Sequence, residues 1–217
     1  LTATGNGSCA NASSNKTLTL VAPPTASAGG SATICSDATS VVSGASSSNG
    51  TILWTENGAG SITAGATTLT PTYTAAAADG GNTVTLTMTV TNVSCGSVQA
   101  TYAINVIGAA TASAGTPITM CTNAGATNIT MGATATNNTD ITWTSNGTGT
   151  IANANSLTLA TYTPGVGETG NVTLTLTATG NTPCGTSASN KVLTINPIPV
   201  ATGVTICAGQ SGSLSSS

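Results

Sequence analysis

The residues of this chain whose type and spacing most clearly indicate chemistry are its six cysteines. They form an early and a late series: Cys35, Cys121 and Cys207, then Cys9, Cys95 and Cys184. The early series recurs every 86 residues, and the late series is spaced by 86 and then by 89 residues. Regularly spaced cysteines in a chain with only 3% charged residues are typical of disulfides made outside the cytoplasm, rather than of metal ligands or reactive thiols.

Two carboxylates also stand at repeated places. Asp79 and Glu168 each lie six residues after a tyrosine, Tyr73 or Tyr162, in a turn that contains glycine. They are weak calcium candidates, because a calcium site requires six to eight oxygens and usually several carboxylates. The alternative is a pair of solvated loop acids that aid solubility. No metal site or cofactor is predicted beyond this weak candidate pair.

The remaining composition excludes most other chemistry. Histidine is absent, and the only cations are Lys16 and Lys191. Serines without a neighbouring base are not nucleophiles, so we expect no catalytic residues and no enzyme. Two lysines cannot neutralise a row of phosphates or an anionic bilayer, which excludes nucleic acid and membrane-surface partners. No run of 18 apolar residues occurs, so neither membrane insertion nor a signal peptide is expected in this window.

Both lysines follow an asparagine at the start of a predicted closing strand. Lysine–asparagine pairs of this kind form isopeptide links in some pilus domains, but that chemistry also needs a buried acid. Between the two copies of Ser-Asn-Lys, the middle repeat carries Gln99 and Ala100 instead. A lysine is therefore not required in every unit.

The elements that carry these residues are β-strands. From Val172 to Ala178 apolar residues alternate with threonine, and the same period of two runs from Thr83 to Thr91. This pattern predicts strands with one buried and one wet face. Seven strands are predicted per unit, and for the first whole unit they are Ala26–Ile34, Ser40–Ala45, Thr51–Glu56, Ser61–Thr63, Thr67–Thr74, Thr83–Thr91 and Val98–Val106.

Self-similarity divides the chain into tandem units of about 86–89 residues. The opening T-A-S-A-G occurs at Thr25–Gly29 and Thr111–Gly115, after a proline-marked boundary at Pro23. We predict the end of one repeat at 1–21, whole repeats at 22–107 and 108–196, and the start of another at 197–217. Short strands separated by turns predict an all-β fold of tandem immunoglobulin-like β-sandwiches forming a rod.

The aromatic residues are expected to fill the cores. Trp54 and Trp143 each follow an isoleucine at the same-face spacing of two, and Tyr73 and Tyr162 lie on a later strand. A sugar-stacking platform is the alternative for the tryptophans, but such platforms usually show clustered aromatics.

The strand count also bears on which cysteines pair. If seven strands alternate in direction, Cys35 and Cys95 lie at opposite ends of one sandwich. A strand of six residues spans about 20 Å, whereas a disulfide tolerates at most about 7 Å between Cα atoms. This predicts a bond from Cys35 to Cys184 across the joint between repeats. The other four would pair with flanking repeats: Cys9, Cys95, Cys121 and Cys207.

A second pairing stays open at this point. Loss of the short strand Ser61–Thr63 would reverse the parity and favour bonds inside each repeat. These would join Cys35 to Cys95 and Cys121 to Cys184.

The order of short segments resembles a known family. T-I-C (Thr33–Cys35), W-T (Trp54-Thr55), T-Y-T (Thr72–Thr74), V-T-L-T-x-T and N-x-x-C follow one another. This order is similar to the repeats of giant surface adhesins of gliding and related Bacteroidetes. The resemblance implies an extracellular cell-surface filament, exported by the type IX route, that mediates adhesion and in gliding cells is moved by a surface motor.

The expected function is therefore structural. The partners expected are neighbouring repeats of the same chain, with other filament chains, surface polysaccharide or substratum as further candidates. A stalk or linker of a secreted enzyme or carbohydrate-binding protein is the main alternative. An ice- or crystal-binding threonine surface is a third reading, disfavoured because such faces need short, strictly periodic repeats.

Overall fold

The computed structural model describes residues 1–199, 201–202, 207–209, 211 and 215–216. Of the 21 residues of the predicted fragment 197–217, ten therefore lie outside the described residues. The strands are β1 (Thr2–Ala3), β2 (Ala12–Ser13), β3 (Thr25–Ser27), β4 (Ser31–Cys35), β5 (Thr39–Val41), β6 (Ser46–Ser48), β7 (Thr51–Glu56), β8 (Ser61–Ala64), β9 (Thr72–Thr74), β10 (Thr83–Asn92), β11 (Gly96–Ile107), β12 (Thr111–Ser113), β13 (Ile118–Cys121), β14 (Thr127–Asn128), β15 (Thr134–Thr136), β16 (Asn138–Ser145), β17 (Thr150–Ala152), β18 (Thr161–Thr163), β19 (Gly170–Gly180), β20 (Thr186–Asn196), β21 (Ala201–Thr202) and β22 (Ser215–Ser216). One 3-10 turn, η1, spans Ala77–Asp79.

Strands β3–β11 form one β-sandwich, here called the first repeat. Its main sheet has the order β4-β11-β10-β7, and a three-stranded sheet β5-β9-β8 provides the other layer. Strand β4 runs parallel to β11, whereas β10 is antiparallel to both β11 and β7. A small β3-β6 pair completes the unit.

Strands β12–β20 form the second repeat with the same plan. Its main sheet is β13-β20-β19-β16, its second layer is β14-β18-β17, and β12 pairs with β15. Each repeat has a hydrophobic core of its own, drawn from both layers. The predicted all-β fold of tandem immunoglobulin-like repeats is confirmed.

The threonine-alternating strands form the centre of each sandwich. In β10 the side chains of Val84, Leu86, Met88 and Val90 are buried, and the threonines between them are partly exposed. The strand ends within one residue of the predicted Thr83–Thr91. The period of two therefore places the apolar side chains between the layers and the hydroxyl groups on the outer face.

The predicted first strand, Ala26–Ile34, is in fact two strands that belong to different sheets. Gly29 has φ +92°, and a Cβ at this position would collide with the carbonyl oxygen of Ser43. The chain turns there, so that β3 pairs with β6 while β4 crosses to pair with β11. The predicted second strand, Ser40–Ala45, is similarly divided, since Gly44 (φ +78°) lies between β5 and β6.

The predicted strand Thr67–Thr74 shrinks to β9, Thr72–Thr74. Residues 66–71 are not part of a strand. They follow a turn at Gly65 (φ +67°), and the carbonyl groups of Ala66 and Thr68 accept hydrogen bonds from Trp54. The backbone N–H of Trp54 donates to Ala66 at 2.8 Å, and its indole N–H donates to Thr68 at 2.9 Å. A buried indole needs such a partner, and this requirement overrides local strand propensity.

The strand bounds leave short connectors between the units. Strand β11 ends at Ile107 and β12 begins at Thr111, while β20 ends at Asn196. None of the helical segments among the described residues is long and apolar enough to cross a membrane.

Candidate functional site: the joint between the repeats

The parallel pairing of β4 with β11 brings the early cysteine to the end of its repeat. Cys35 lies opposite Ile107, the last residue of β11. The next residue, Ser36, is buried and its backbone N–H donates a 2.8 Å hydrogen bond to the carbonyl of Ile107. The sulfur of Cys35 is thus held where the chain leaves the first repeat.

The late cysteine of the second repeat lies on the other side of this joint. Cys184 is in the turn between β19 and β20, and its backbone N–H donates to the carbonyl of Asn181 at 2.7 Å. Its Sγ lies 3.5 Å from the carbonyl oxygen of Ile107. The turn therefore reaches back to the end of the first repeat.

Cys35 and Cys184 are joined by a disulfide, with 5.0 Å between their Cα atoms and a sequence separation of 149. This is the cross-joint pairing of the two that the sequence left open. Pairing of Cys35 with Cys95 does not fit the arrangement, because Cys95 directly precedes β11 and Cys35 lies beside its last residue. The 12 residues of β11 separate these positions by about 36 Å, far beyond the reach of a disulfide of about 7 Å.

Cys121 and Cys184 are separated in the same way. Cys121 lies opposite Asn196, the last residue of β20, and Cys184 lies before the first. Among the described residues, four cysteines have exposed thiols that form no disulfide: Cys9, Cys95, Cys121 and Cys207.

Hydrogen bonds from both repeats hold the connector itself. Ser36 Oγ of the first repeat accepts a 3.0 Å bond from the backbone N–H of Ala109. Asn137 of the second repeat donates from Nδ2 to the carbonyl of Ala109 at 3.0 Å. Asn181 Nδ2 in turn donates to the Asn137 carbonyl at 3.4 Å. Both backbone polar groups of Ala109 are therefore satisfied by side chains, as a partly buried linker requires.

Close approach at the joint depends on two glycines. A Cβ on Gly108 would lie 2.9 Å from Asn137 Nδ2, and a Cβ on Gly80 would lie 2.9 Å from the Cα of Gly108. Next to them is a cleft of about 240 Å³ whose lining includes Asp37 and Thr111. Absence of side chains at these glycines lets η1 and the connector pack against each other.

The preceding joint repeats three of these contacts. Cys95 Sγ lies 3.4 Å from the carbonyl oxygen of Val21, as Cys184 does from that of Ile107. Asn49 Nδ2 donates to the carbonyl of Pro23 at 3.0 Å, and Asn92 Nδ2 donates to the carbonyl of Asn49 at 2.6 Å. Asn49 and Asn137 share positive φ values of 56° and 54°. The joint is therefore a repeated structural feature.

Asp79 is a buried structural acid, which corrects the expectation of a solvated one. It is 3% exposed. Its Oδ1 accepts from the backbone of Ala59 at 2.7 Å, and its Oδ2 accepts from Tyr73 Oη at 2.7 Å and from the backbone of Ala76 at 2.9 Å and Gly60 at 3.1 Å. Burial alone raises the pKa of Asp79, but these hydrogen bonds outweigh it and hold the pKa below its usual value.

Glu168 has the same role in the second repeat. Tyr162 Oη donates to it at 2.8 Å, and the backbone N–H groups of Gly165 and Thr148 donate at 2.8 and 2.7 Å. Its pKa is likewise lowered, because these bonds outweigh the desolvation that raises it. Burial, followed by the bond to Asp79, raises the pKa of Tyr73 to about 12.

These surroundings do not fit calcium. Calcium is bound by oxygen ligands, whereas the carboxylate oxygens of Asp79 and Glu168 already accept hydrogen bonds from N–H and O–H donors. Within the part of the chain that the structure describes, no three His, Cys, Asp or Glu side chains lie together as metal ligands. Asp79 connects the loop before β8 to Tyr73 on β9 through hydrogen bonds. Glu168 connects the loop before β17 to Tyr162 on β18 in the same way.

The aromatic residues named from the sequence lie in the two cores. Trp54 and Trp143 are each 2% exposed, and Tyr73 and Tyr162 are fully buried. The ring faces of the two tryptophans are therefore buried and are not available to stack on a sugar.

Lys191 is a feature that the sequence did not indicate. It is 4% exposed, it points into the core of the second repeat, and its Nζ has no hydrogen-bond partner. The nearest group of note is the Trp143 ring, 5.2 Å from Nζ to the ring centroid. Desolvation by burial lowers the pKa of this lysine.

The two repeats differ at this position. Strand β11 ends at Ile107 and strand β20 ends at Asn196. Counting back five residues from each end shows that Lys191 of the second repeat is equivalent to Tyr102 of the first, and not to Gln99 or Ala100. Tyr102 is also 4% exposed. A ring in the first core is thus replaced by an aliphatic stem and an amine in the second.

No protein-family model matches the sequence, and no curated protein matches it. Among solved structures the chain is similar to extracellular cadherin repeats. Drosophila N-cadherin EC1-4 gives a TM-score of 0.49 at 14% identity over 81% of this chain and 50% of that one. Human CDH23 EC21-23 gives 0.48 at 10% identity over 90% of this chain and 79% of that one. This chain thus spans about half the length of the N-cadherin segment.

Proposed function

We propose that this chain is a non-catalytic, rod-like segment of a giant extracellular bacterial adhesin filament, with a role in adhesion and, in gliding cells, in motility. Its task is to provide reach and stiffness between a surface anchor and an adhesive end. The observation that carries the proposal is the Cys35–Cys184 bond, which crosses the joint instead of closing one repeat.

The organisation of the joints supports a rod. Successive whole repeats at 22–107 and 108–196 are connected by the chain, by side-chain bonds to Ala109 and by the disulfide. A joint held at three places resists bending far better than a flexible linker does. Partial repeats at 1–21 and 197–217 would continue the same arrangement.

The unbonded cysteines would extend the series of cross-joint bonds. Cys95 and Cys121 occupy the places of Cys184 and Cys35 in their own repeats, so Cys95 would pair with the repeat before and Cys121 with the repeat after. Cys9 and Cys207 would do the same further out. Each bond forms from two thiols with loss of two protons and two electrons, taken up by a thiol oxidant of the extracytoplasmic compartment.

The expected partners follow from the surface. Two lysines and five carboxylates leave threonine, serine and small apolar residues facing outward. Neighbouring repeats are the first partner, and other filament chains, surface polysaccharide or the substratum come next. No cofactor is part of the proposal.

Two experiments test this function. The reading frame is first sequenced outward in both directions, where the proposal expects many further repeats and an adhesive or anchoring end. An in-frame deletion of the repeats, with export verified by an antibody to the remaining part, should then reduce cell attachment to glass at least several-fold. A neighbouring catalytic domain with only a few repeats, or unchanged attachment, would favour the stalk of a secreted enzyme.

A further inference from the structure

The Cys35–Cys184 bond changes how the chain carries tension. Residues 36–183 lie inside the covalent ring that the bond closes. A pull on the two ends therefore passes from residue 1 to Cys35, through the disulfide, and from Cys184 onward. The greater part of both sandwiches is outside this route.

The segments that remain on the route consist mainly of strands, with one turn at Gly29. Between Pro24 and Cys35 they comprise β3 and β4, and beyond Cys184 they comprise β20, an 11-residue strand. A strand rises about 3.3 Å per residue, and a fully stretched chain reaches at most about 3.6 Å. Straightening these strands therefore lengthens them by only about a tenth, and opening the turn at Gly29 adds no more than the reach of the three residues between β3 and β4.

We infer that the cross-joint disulfide makes each joint a strain limiter, so that the two-repeat segment cannot lengthen appreciably even when its sandwiches are pulled open. This inference deepens the rod function proposed above and rests on it for its biological meaning, but the force path itself depends only on the bond. A filament built this way transmits load without the large extension that unfolding of unlinked domains would give.

The route through the disulfide is much shorter at full stretch than the route along the backbone. From residue 24 to residue 196 the route through the disulfide has 23 residue steps, eleven before Cys35 and twelve after Cys184. At about 3.5 Å per step this is about 80 Å. Along the backbone the same two residues are 172 steps apart, or about 600 Å at full stretch. The bond thus shortens the maximal length about sevenfold.

The chain also stays connected if a sandwich opens. Strand β4 pairs with β11 in parallel, and β13 pairs with β20 in the same way. In the first repeat this pairing places Cys35, where the disulfide route leaves, beside Ile107, where the backbone route leaves. Two covalent connections therefore leave the first repeat side by side, and in the second repeat the thiol of Cys121 lies beside Asn196 in the same way.

Single-molecule force spectroscopy on the full 217-residue chain tests the inference. The chain is tethered through tags fused to its two ends, and the other cysteines are replaced so that a single bond can form: Cys9→Ser, Cys95→Ser, Cys121→Ser and Cys207→Ser. Titration with a thiol reagent should first find no free thiol. Fully stretched contour length is then measured in oxidising buffer and after reduction with dithiothreitol.

Reduction should release 149 residue steps, which is about 520 Å of contour length. The matched control adds Cys184→Ser and should show the long contour length in both buffers. Two free thiols before pulling, or equal contour lengths with and without reductant, would overturn the inference. The attachment assay on the deletion strain tests the proposed function independently of the force measurement. A contour length limited by the disulfide together with unchanged attachment would therefore contradict the adhesin function and leave the inference standing.

Discussion

The hydroxyl group of Tyr73 donates a 2.7 Å hydrogen bond to Asp79, a carboxylate that is 3% exposed. Tyr162 and Glu168 form the same pair in the second repeat. Each acid also accepts hydrogen bonds from the backbone of its own loop, at Ala76 or Gly165, and of another loop, at Ala59 and Gly60 or at Thr148. One side chain thus connects a tyrosine and two segments of chain.

The first prediction concerns pH. The pKa of Asp79 is lowered by folding, so its contribution to stability is present above about pH 4 and is lost as pH falls through the folded value. The pKa of Tyr73 is raised to about 12, so its contribution is present below about pH 10 and is lost as pH rises through that value. Calorimetric melting of the first repeat should be flat between about pH 5 and 9 and fall on both sides. A melting temperature that rises below pH 4 would contradict this.

The second prediction is that Asp79→Asn destabilises the first repeat by about 2–4 kcal/mol, because an amide cannot accept all the bonds made to the carboxylate and leaves buried donors unpaired. Urea unfolding followed by hydrogen exchange in β10 measures the change. Asp37→Asn is the matched control: Asp37 is exposed and Asn tolerates its φ of 63°. The control should stay within about 0.5 kcal/mol. Equal effects of the two variants would show that the buried network is not what stabilises the repeat.

The third prediction is that Lys191→Met stabilises the second repeat by about 1–3 kcal/mol. A cation over a ring gains about 0.5–2 kcal/mol, whereas burial of an unpaired ammonium group costs several. The pKa of Lys191 is lowered, so its unfavourable effect declines as pH rises toward the unfolded value of about 10.4. Stability of the second repeat should therefore increase with pH on the alkaline side in wild type and not in the variant.

Lys16→Met is the control for that substitution, since Lys16 is exposed and should give a change within about 0.5 kcal/mol. Thermal melts at several pH values measure both variants. A lower stability of Lys191→Met would show that the amine has a partner that offsets its burial.

The fourth prediction concerns the connector. In Gly108→Ala the added Cβ displaces Asn137, whose Nδ2 would lie only 2.9 Å away, and breaks its bond to Ala109. Loss of one hydrogen bond of about 1 kcal/mol should make amide exchange in the peptide around residues 108–112 about fivefold faster. Gly125→Ala is the control, because a Cβ there meets no atom within 4 Å. Unchanged exchange in Gly108→Ala would show that this bond does not hold the joint.

The alternation of apolar residues with threonine predicted β10 and the all-β fold, because a two-residue period has one structural meaning. The same pattern does not predict the bend at Gly29. A glycine in a strand pattern shows that a bend is possible, but the partner strand that makes it necessary comes from another part of the chain.

Burial of single polar side chains was the least predictable feature of the site. The sequence alone predicts for Asp79 either a solvated loop acid or a weak calcium ligand, because it lies in a glycine-containing turn. The donors that surround it come from Ala59 and Gly60, far from it along the chain. Lys191 similarly lies in a strand whose alternation could be read only after its register with β19 was known. The spacing of Tyr and acid by six residues in both repeats was the one available signal.

The most direct test of the disulfide across the joint is disulfide mapping of the oxidised wild-type chain. Free thiols are alkylated, the chain is digested with pepsin at acid pH to prevent exchange, and linked peptides are identified by mass spectrometry without reduction. For the 217-residue chain by itself, without flanking repeats, one linked pair is expected, Cys35 with Cys184, together with alkylated thiols at Cys9, Cys95, Cys121 and Cys207. Linked peptides joining Cys35 to Cys95 and Cys121 to Cys184 would contradict it.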